Sequence, residues 1–228
     1  MNGALYVGID AGSSATKCVV LEGTNTGDIT PRLAAHSVIP SGFDYGEAAE
    51  TALMRALERL CAGNEGKDQA AEAGGHVSRT GWSAPGAARD ATAYCVATGY
   101  GRERVSFADR QVTEITCHAR GAHEWYPQVR GIIDIGGQDT KVIWVSAGGR
   151  TADYRMNAKC AAGTGTFLES IALKLGVPLS QIDQLALESN ARTVLNSYCT
   201  VFTGTEVIER IKAGEPRQDI AMGLFRSI

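Results

Sequence analysis

Several things are missing from this chain of 228 residues, and each absence excludes a class of function. There is no excess of basic residues: the formal net charge is −3, which argues against nucleic-acid binding, because phosphate contacts need a basic surface. No apolar run reaches the roughly 20 residues of a membrane helix, so no membrane partner is expected. The first twenty residues lack a basic start, a signal core and a cleavage site, and a cytoplasmic location follows as the expectation. The six cysteines (Cys18, Cys61, Cys95, Cys117, Cys160 and Cys199) form no CxxC pair and no short even framework. A disulfide scaffold is therefore not expected, and most of these thiols read as small packing groups. What remains is ordinary for a globular protein: 44% apolar and 21% charged residues, enough chain for one large domain or two small ones.

The most informative feature present is an internal repeat. Residues 9–17 read IDAGSSATK and residues 133–141 read IDIGGQDTK. Ile, Asp, Gly, Thr and Lys recur at identical spacing, 124 positions apart. Each copy lies between short apolar runs (Leu5–Ile9 and Cys18–Leu21; Gly131–Ile133 and Val142–Val145), the pattern of two strands joined by a turn of small residues. Two such hairpins imply two similar halves, divided as residues 1–128 and 129–228. Apolar spacing predicts helices over Ala48–Leu60 and Thr113–Glu124, with a short strand at Ala93–Ala97. Residues 61–92, rich in Ala, Gly and isolated charges, read as an insertion or mobile surface loop. After residue 160, helices are expected over Thr164–Leu175, Ser180–Leu187, Thr203–Lys212 and Asp219–Ile228. The last has no C-cap, which suggests a fragment.

A turn without bulky side chains lets backbone N–H groups approach phosphate oxygens. Gly12, Ser13, Ser14, Ala15, Thr16 and Lys17 form that turn in the first copy, and Gly136, Gly137, Gln138 and Thr140 in the second. Lys17 would neutralise phosphate charge. Asp10 and Asp134 are placed to hold Mg²⁺ through water, since hard cations take oxygen ligands. Asp139 and Gln138 are candidates, on position alone, for orienting an attacking water. A further glycine-rich turn, Gly163-Thr164-Gly165, opens a helix in KCAAGTGTFLE.

Cys160 precedes that turn, and Cys199 precedes a second expected helix start at Thr200-Val201-Phe202-Thr203-Gly204. Helix N-termini carry unpaired N–H groups and the positive end of the dipole, a setting that favours thiolate. Taken alone, two buried structural thiols are the simpler reading. Two thiolates are also too few for a 4Fe-4S cluster, which takes four, although a symmetric dimer would supply the other two. Glu114 and His118, at i and i+4 beside Cys117, suggest a metal site less well than an edge helix. Trp125, Tyr126 and Phe107 read as core or interface aromatics.

The segments YVGIDAGSSATKCVVL, ATGYGR, QVTEITCHARGA, IIDIGGQDTKVI, MNAKCAAGTGTFLE and CTVFTGTEVI together resemble the BadF/BadG/BcrA/BcrD ATPase family. Within it they resemble the activators of 2-hydroxyacyl-CoA dehydratases, relatives of benzoyl-CoA reductase ATPase subunits. The resemblance spares only about residues 22–92. It implies an α/β chain with the acetate and sugar kinase/Hsp70/actin-like ATPase fold, two similar subdomains with a nucleotide cleft between them, and a homodimer. It also implies one shared 4Fe-4S cluster held by Cys160 and Cys199 of each subunit. By the same resemblance ATP and Mg²⁺ are the other cofactors, with Ser13–Lys17 and Gly136–Asp139 as the two phosphate loops and Gly163, Thr164 and Gly165 beside the nucleotide. Ferredoxin or flavodoxin would supply electrons, and an iron–sulfur dehydratase or reductase acting on a CoA thioester would receive them.

The chain departs from the family's pattern in three places. Ala158 stands where Asp is usual, and Thr203-Gly204-Thr205 stands where Ala-Glu-Ser is usual. A later Gly-Gly turn that contacts adenosine is absent, so weak adenosine binding or an incomplete sequence is expected. Two readings stay open beside the activator: a small-molecule kinase of the same fold without iron, and a nucleotide-sensing binding module.

Overall fold

The computed structural model describes residues 4–23, 32–62, 92–157, 164–196 and 200–227. They fall into two compact units, Met1–His118 and Ala119–Ile228.

In the first unit, β1 (Leu5–Ala11) and β2 (Ala15–Glu22) form the expected hairpin, each extending a little beyond its apolar run. β3 (Arg32–Pro40) follows, then α1 (Tyr45–Cys61), β4 (Tyr94–Thr98) and the two-residue β5 (Arg110–Gln111). The sheet runs β3-β2-β1-β4-β5. The first three strands form antiparallel pairs, while β4 lies parallel to β1 and β5 parallel to β4. Asp44 caps α1, its carboxylate accepting from the N–H groups of Gly46 and Glu47 at 2.8 and 3.2 Å, which satisfies donors the helix cannot.

The buried stripe of α1 is mostly alanine (Ala48, Ala49, Ala52, Ala56) with Leu53 and Leu57. Small residues at helical spacing let the helix lie close on the sheet, where it covers Ile9, Ala11, Cys18, Val20, Ile39, Cys95 and Ala97. Losing one of the two leucines would cost about 2–5 kcal/mol. Cys18 and Cys95 are packing groups, as expected. Burial, with Cys95 beside it, pushes the Cys18 thiol far above its ordinary value, so it stays protonated and is no ligand or nucleophile.

The helix α2 (Glu114–Trp125) runs through the junction of the two units in sequence. Then come β6 (Gly131–Ile135), β7 (Thr140–Val145) and β8 (Thr151–Met156), an antiparallel sheet in that order. Four helices complete the second unit: α3 (Gly165–Leu175), α4 (Ile182–Leu187), α5 (Thr200–Lys212) and α6 (Arg217–Ser227). Gly176 closes α3 in the left-handed conformation with φ +67°, as a glycine C-cap does. Phe167, Ile171, Leu175, Ile182, Val207, Ile220 and Leu224 make this unit's own core.

Two expectations need correction. Of the core or interface role expected for Trp125 and Tyr126, the core half does not hold: they are 80% and 70% exposed, because α2 ends there and its buried side is carried by Ala119. The segment Ser180–Leu187 is not one helix; a 3₁₀ turn over Leu179–Gln181 precedes α4, following Pro178, whose backbone is extended. Residues 63–91, most of the expected insertion, lie outside the described residues.

Candidate functional site

The repeated Asp-x-Gly pattern folds into two hairpins of the same register. In the first, Asp10 pairs across the strands with Lys17 and Ala11 with Thr16. In the second, Asp134 pairs with Lys141 and Ile135 with Thr140. The glycine two residues after each Asp meets the far side of its own turn. A Cβ on Gly12 would lie 2.8 Å from the Ala15 carbonyl oxygen, and one on Gly136 would lie 3.1 Å from that of Asp139. The spacing therefore needs glycine there, and the backbone at each tip stays bare, as a phosphate cradle requires.

Around the first tip, Lys17 Nζ donates to Asp10 Oδ2 at 2.9 Å, and both groups reach solvent. Thr16 is buried, its hydroxyl 2.9 Å from that of Ser41. Ser41 in turn donates to the Gly12 carbonyl at 2.5 Å, and its N–H donates to the Ser14 carbonyl at 3.1 Å. The chain leaving β3 thus pins the turn from behind. Thr16 therefore supports the loop from the core and does not present its hydroxyl to a ligand. Gly99, at the exit of β4, has φ +86°, and a Cβ there would sit 2.4 Å from Asp10 Oδ1. The Gly101 N–H donates to the Ala11 carbonyl at 2.8 Å. Asp10 is in this way held between Lys17 and the Gly99 turn.

The second tip is organised around a buried lysine. Lys141 is 4% exposed and contacts two carboxylates, Asp134 at 3.4 Å and Asp139 at 2.5 Å. The Gly136 N–H donates to the Asp139 carbonyl at 2.8 Å. Asn157 brackets the start of β7, its Oδ1 accepting from the Thr140 N–H at 2.8 Å and its N–H donating to the Thr140 carbonyl at 3.1 Å.

α3 begins on this hairpin. The Gly165 N–H donates to the Gly136 carbonyl at 2.9 Å and the Thr166 N–H to the Gly137 carbonyl at 3.2 Å, with the Thr166 hydroxyl donating to the same oxygen. Unpaired N–H groups of the first helical turn are thereby spent on the glycine tip. The structure thus brings Gly136, Gly137, Thr164 and Gly165 together with Asp134 and Asp139.

Ala158, Cys160, Gly163 and Cys199 lie outside the described residues. The helices that follow the two cysteines in sequence, α3 and α5, share one core through Phe167, Ile171 and Val207. Residues 193–196 are tied down. Arg210 donates to Glu206 and Glu215, each at 2.8 Å, and to the Val194 carbonyl at 2.9 Å. Thr193 donates to Glu215 and the Asn196 N–H to Glu206. Hydrogen bonds from Arg210 and then Thr193 hold the Glu215 carboxyl below its ordinary range, while those to Glu215 and Glu206 raise the Arg210 guanidinium.

Of the departures at 203–205, Thr203 is buried and donates to the Asn196 carbonyl at 2.5 Å. Gly204 and Thr205 line a groove of about 380 Å³ between α3 and α5, with Lys174 across it.

Four supporting residues escaped the sequence reading: Ser41, Asn157, Thr166 and Lys141. Only Lys141 had a signal, since it is the second lysine of the repeat. Among the described residues no group of three or more His, Cys, Asp or Glu side chains converges to hold a metal, and Glu114, Cys117 and His118 gather no further ligands.

The profile of the BadF/BadG/BcrA/BcrD ATPase family matches residues 7–228. The protein YjiL of Escherichia coli is 38% identical over 225 residues, 99% of this chain and 74% of its own length. The crystal structure of component A of the Acidaminococcus fermentans (R)-2-hydroxyglutaryl-CoA dehydratase superposes with a TM-score of 0.75 at 34% identity, over 98% of this chain and 74% of that one. The activator of the 2-hydroxyisocaproyl-CoA dehydratase from Clostridium difficile, solved with bound ADPNP, gives 0.71 at 34% identity over 98% and 71%. The chain shares with these proteins an α/β architecture with two sheets, in keeping with the acetate and sugar kinase/Hsp70/actin-like fold that the family resemblance implied.

Proposed function

The chain belongs to the BadF/BadG/BcrA/BcrD ATPase family, and on that premise we propose that it couples ATP hydrolysis to one-electron activation of an iron–sulfur enzyme. That enzyme is a 2-hydroxyacyl-CoA dehydratase or a reductase of the benzoyl-CoA type. The protein works as a cytoplasmic homodimer and takes electrons from ferredoxin or flavodoxin. Among the described residues no helix is long and apolar enough to cross a membrane.

The observation that carries the reading is the docking of α3 on the second hairpin. Two backbone hydrogen bonds join Gly165 and Thr166 to Gly136 and Gly137, so a glycine tip suited to phosphate and the helix that follows Cys160 move as one piece. A change at the nucleotide is passed to α3, the helix that follows Cys160 in sequence. This is the kind of local event a two-state switch needs.

The residues present fit the nucleotide and its cation. Gly12 and Gly136 leave bare backbone for phosphate oxygens, Lys17 is within reach of solvent to neutralise them, and Asp10 offers oxygen to a hydrated Mg²⁺. Asp139 and Gln138 are the groups proposed to orient the attacking water. The donor set also fits a cluster. Cys18 is excluded by its protonated, buried thiol, and Cys160 and Cys199 precede in sequence two helices that pack together. A 4Fe-4S cluster, when bound by both cysteines of each subunit, supplies a one-electron carrier.

The test is anaerobic purification with iron and sulfide analysis. About four iron per dimer is expected, and none in Cys160→Ala with the fold retained. An iron-free protein that still hydrolyses ATP would refute the activator and favour a kinase of the same fold.

A further inference from the structure

Asp10 and Thr98 are direct partners in the parallel pairing of β1 with β4. Residues in register on neighbouring strands leave the same face side by side. Asp10 Oδ2 is taken by Lys17, whereas Oδ1 faces Gly99, where any Cβ would intrude on it. Gly99, with a φ of +86° that few other residues would adopt, therefore packs directly against Oδ1 and puts no side chain over it.

On the residue before Gly99, the Thr98 hydroxyl is buried and has no hydrogen-bond partner among the described residues. A buried hydroxyl left unpaired destabilises the fold, and valine would fill the same volume without that penalty. Strand position 98 favours valine as much as threonine. A polar group kept where packing alone would choose an apolar one calls for a ligand.

We propose that Thr98 is a positioning residue for the cation of the nucleotide. Its hydroxyl accepts a hydrogen bond from a water in the hydration shell that Asp10 also binds, which fixes where the hydrated Mg²⁺ sits against the phosphates. Mg²⁺ keeps several of its waters and demands near-octahedral geometry, so a second fixed acceptor beside the carboxylate sets the orientation of the shell. This inference rests on the reading that Asp10 holds hydrated Mg²⁺.

The experiment uses the full-length protein, with Thr98→Val, Thr98→Ser and Asp10→Asn beside the wild type. Melting temperature is measured alone, with ADPNP plus EDTA, and with ADPNP plus Mg²⁺. The Mg²⁺ concentration giving half-maximal ATPase is measured as well. Without ligand, Thr98→Val should melt about 1–4 °C higher than wild type, because the unpaired hydroxyl is gone. Its half-maximal Mg²⁺ should rise about tenfold, the loss of one charge-assisted hydrogen bond. The Mg²⁺-dependent part of its melting shift should shrink, the part seen in EDTA should not, and Thr98→Ser should restore both readings.

A Thr98→Val protein that titrates with Mg²⁺ like wild type overturns the proposal, as does one that melts lower without ligand. If Mg²⁺ fails to add to the ADPNP shift of the wild type, or Asp10→Asn leaves it intact, the cation reading falls and the role of Thr98 with it. If those two respond as expected and Thr98→Val does not, the role of Thr98 alone is refuted.

Discussion

The two hairpins share a sequence pattern, a register and a glycine placement, yet their lysines have different fates. Lys17 meets one carboxylate and is 46% exposed; Lys141 meets two and is 4% exposed. The second contact comes from one position. Where the first copy has Ala15, the second has Asp139, whose carboxylate turns back onto the lysine. A lysine shared between two carboxylates at low exposure is a structural clamp, since separating it would leave charges poorly solvated. A lysine in a single exposed pair is cheaply released, because such pairs are worth little in water. Equal motifs have thus been divided between an exposed, singly paired lysine at the first tip, proposed above to meet phosphate, and a buried, doubly paired lysine in the hairpin on which α3 docks.

The largest expected break in this comparison is Gly99→Ala. The new Cβ meets Asp10 Oδ1 and the Ala11 carbonyl, and φ is positive. Destabilisation of about 2–4 kcal/mol follows from the strain and overlap. Displacing Asp10 by a fraction of an ångström should also lower ATPase activity about 100-fold. Melting and steady-state hydrolysis check both, and a variant with normal hydrolysis would separate Asp10 from catalysis.

Next is Lys141→Met. It strands Asp134 and Asp139 beside each other, and their partial exposure limits the cost to about 2–3 kcal/mol. Chemical denaturation should show the loss, and iron content in the anaerobically purified variant should fall with it if the clamp positions α3. Lys17→Met should show the reverse balance, less than about 1 kcal/mol of stability with a clear loss of ATP affinity. Equal stability losses in the two variants would erase the distinction between clamp and exposed cation.

Much of this division was hidden in the sequence for a physical reason. The repeat made both hairpins readable, because register follows from alternation and a short glycine turn. It did not reveal which lysine would be buried, since burial depends on what packs over the tip. β3 went unread because its pattern is inverted: Leu33 and Val38 point outward while Ala35 and Ser37 face the core. Ser37 is tolerated there only because it donates to the Ala52 carbonyl at 2.6 Å. β8 carries no alternation at all, being an exposed edge strand. Thr98 stood in the ATGYGR segment, but an unpaired hydroxyl is visible only once its neighbours are in place. The α1 stripe and the Gly176 cap were readable because each is a local signal.

The smallest expected effect would sharpen the comparison most. Ala15→Asp gives the first hairpin the residue of the second, and the backbone already matches, since Gly12 meets the Ala15 carbonyl as Gly136 meets that of Asp139. The new carboxylate lies at the turn, partly exposed, so stability should change by no more than about 0.5 kcal/mol. Lys17 would then be shared between Asp10 and the introduced carboxylate in the manner of Lys141. Half-saturation by ATP should rise about three- to fivefold through competition and added negative charge. High salt should reduce that difference, because the competing pair is screened. An Ala15→Asp protein that binds ATP as well as wild type would mean that the burial of Lys141, and not its second carboxylate, separates the two hairpins.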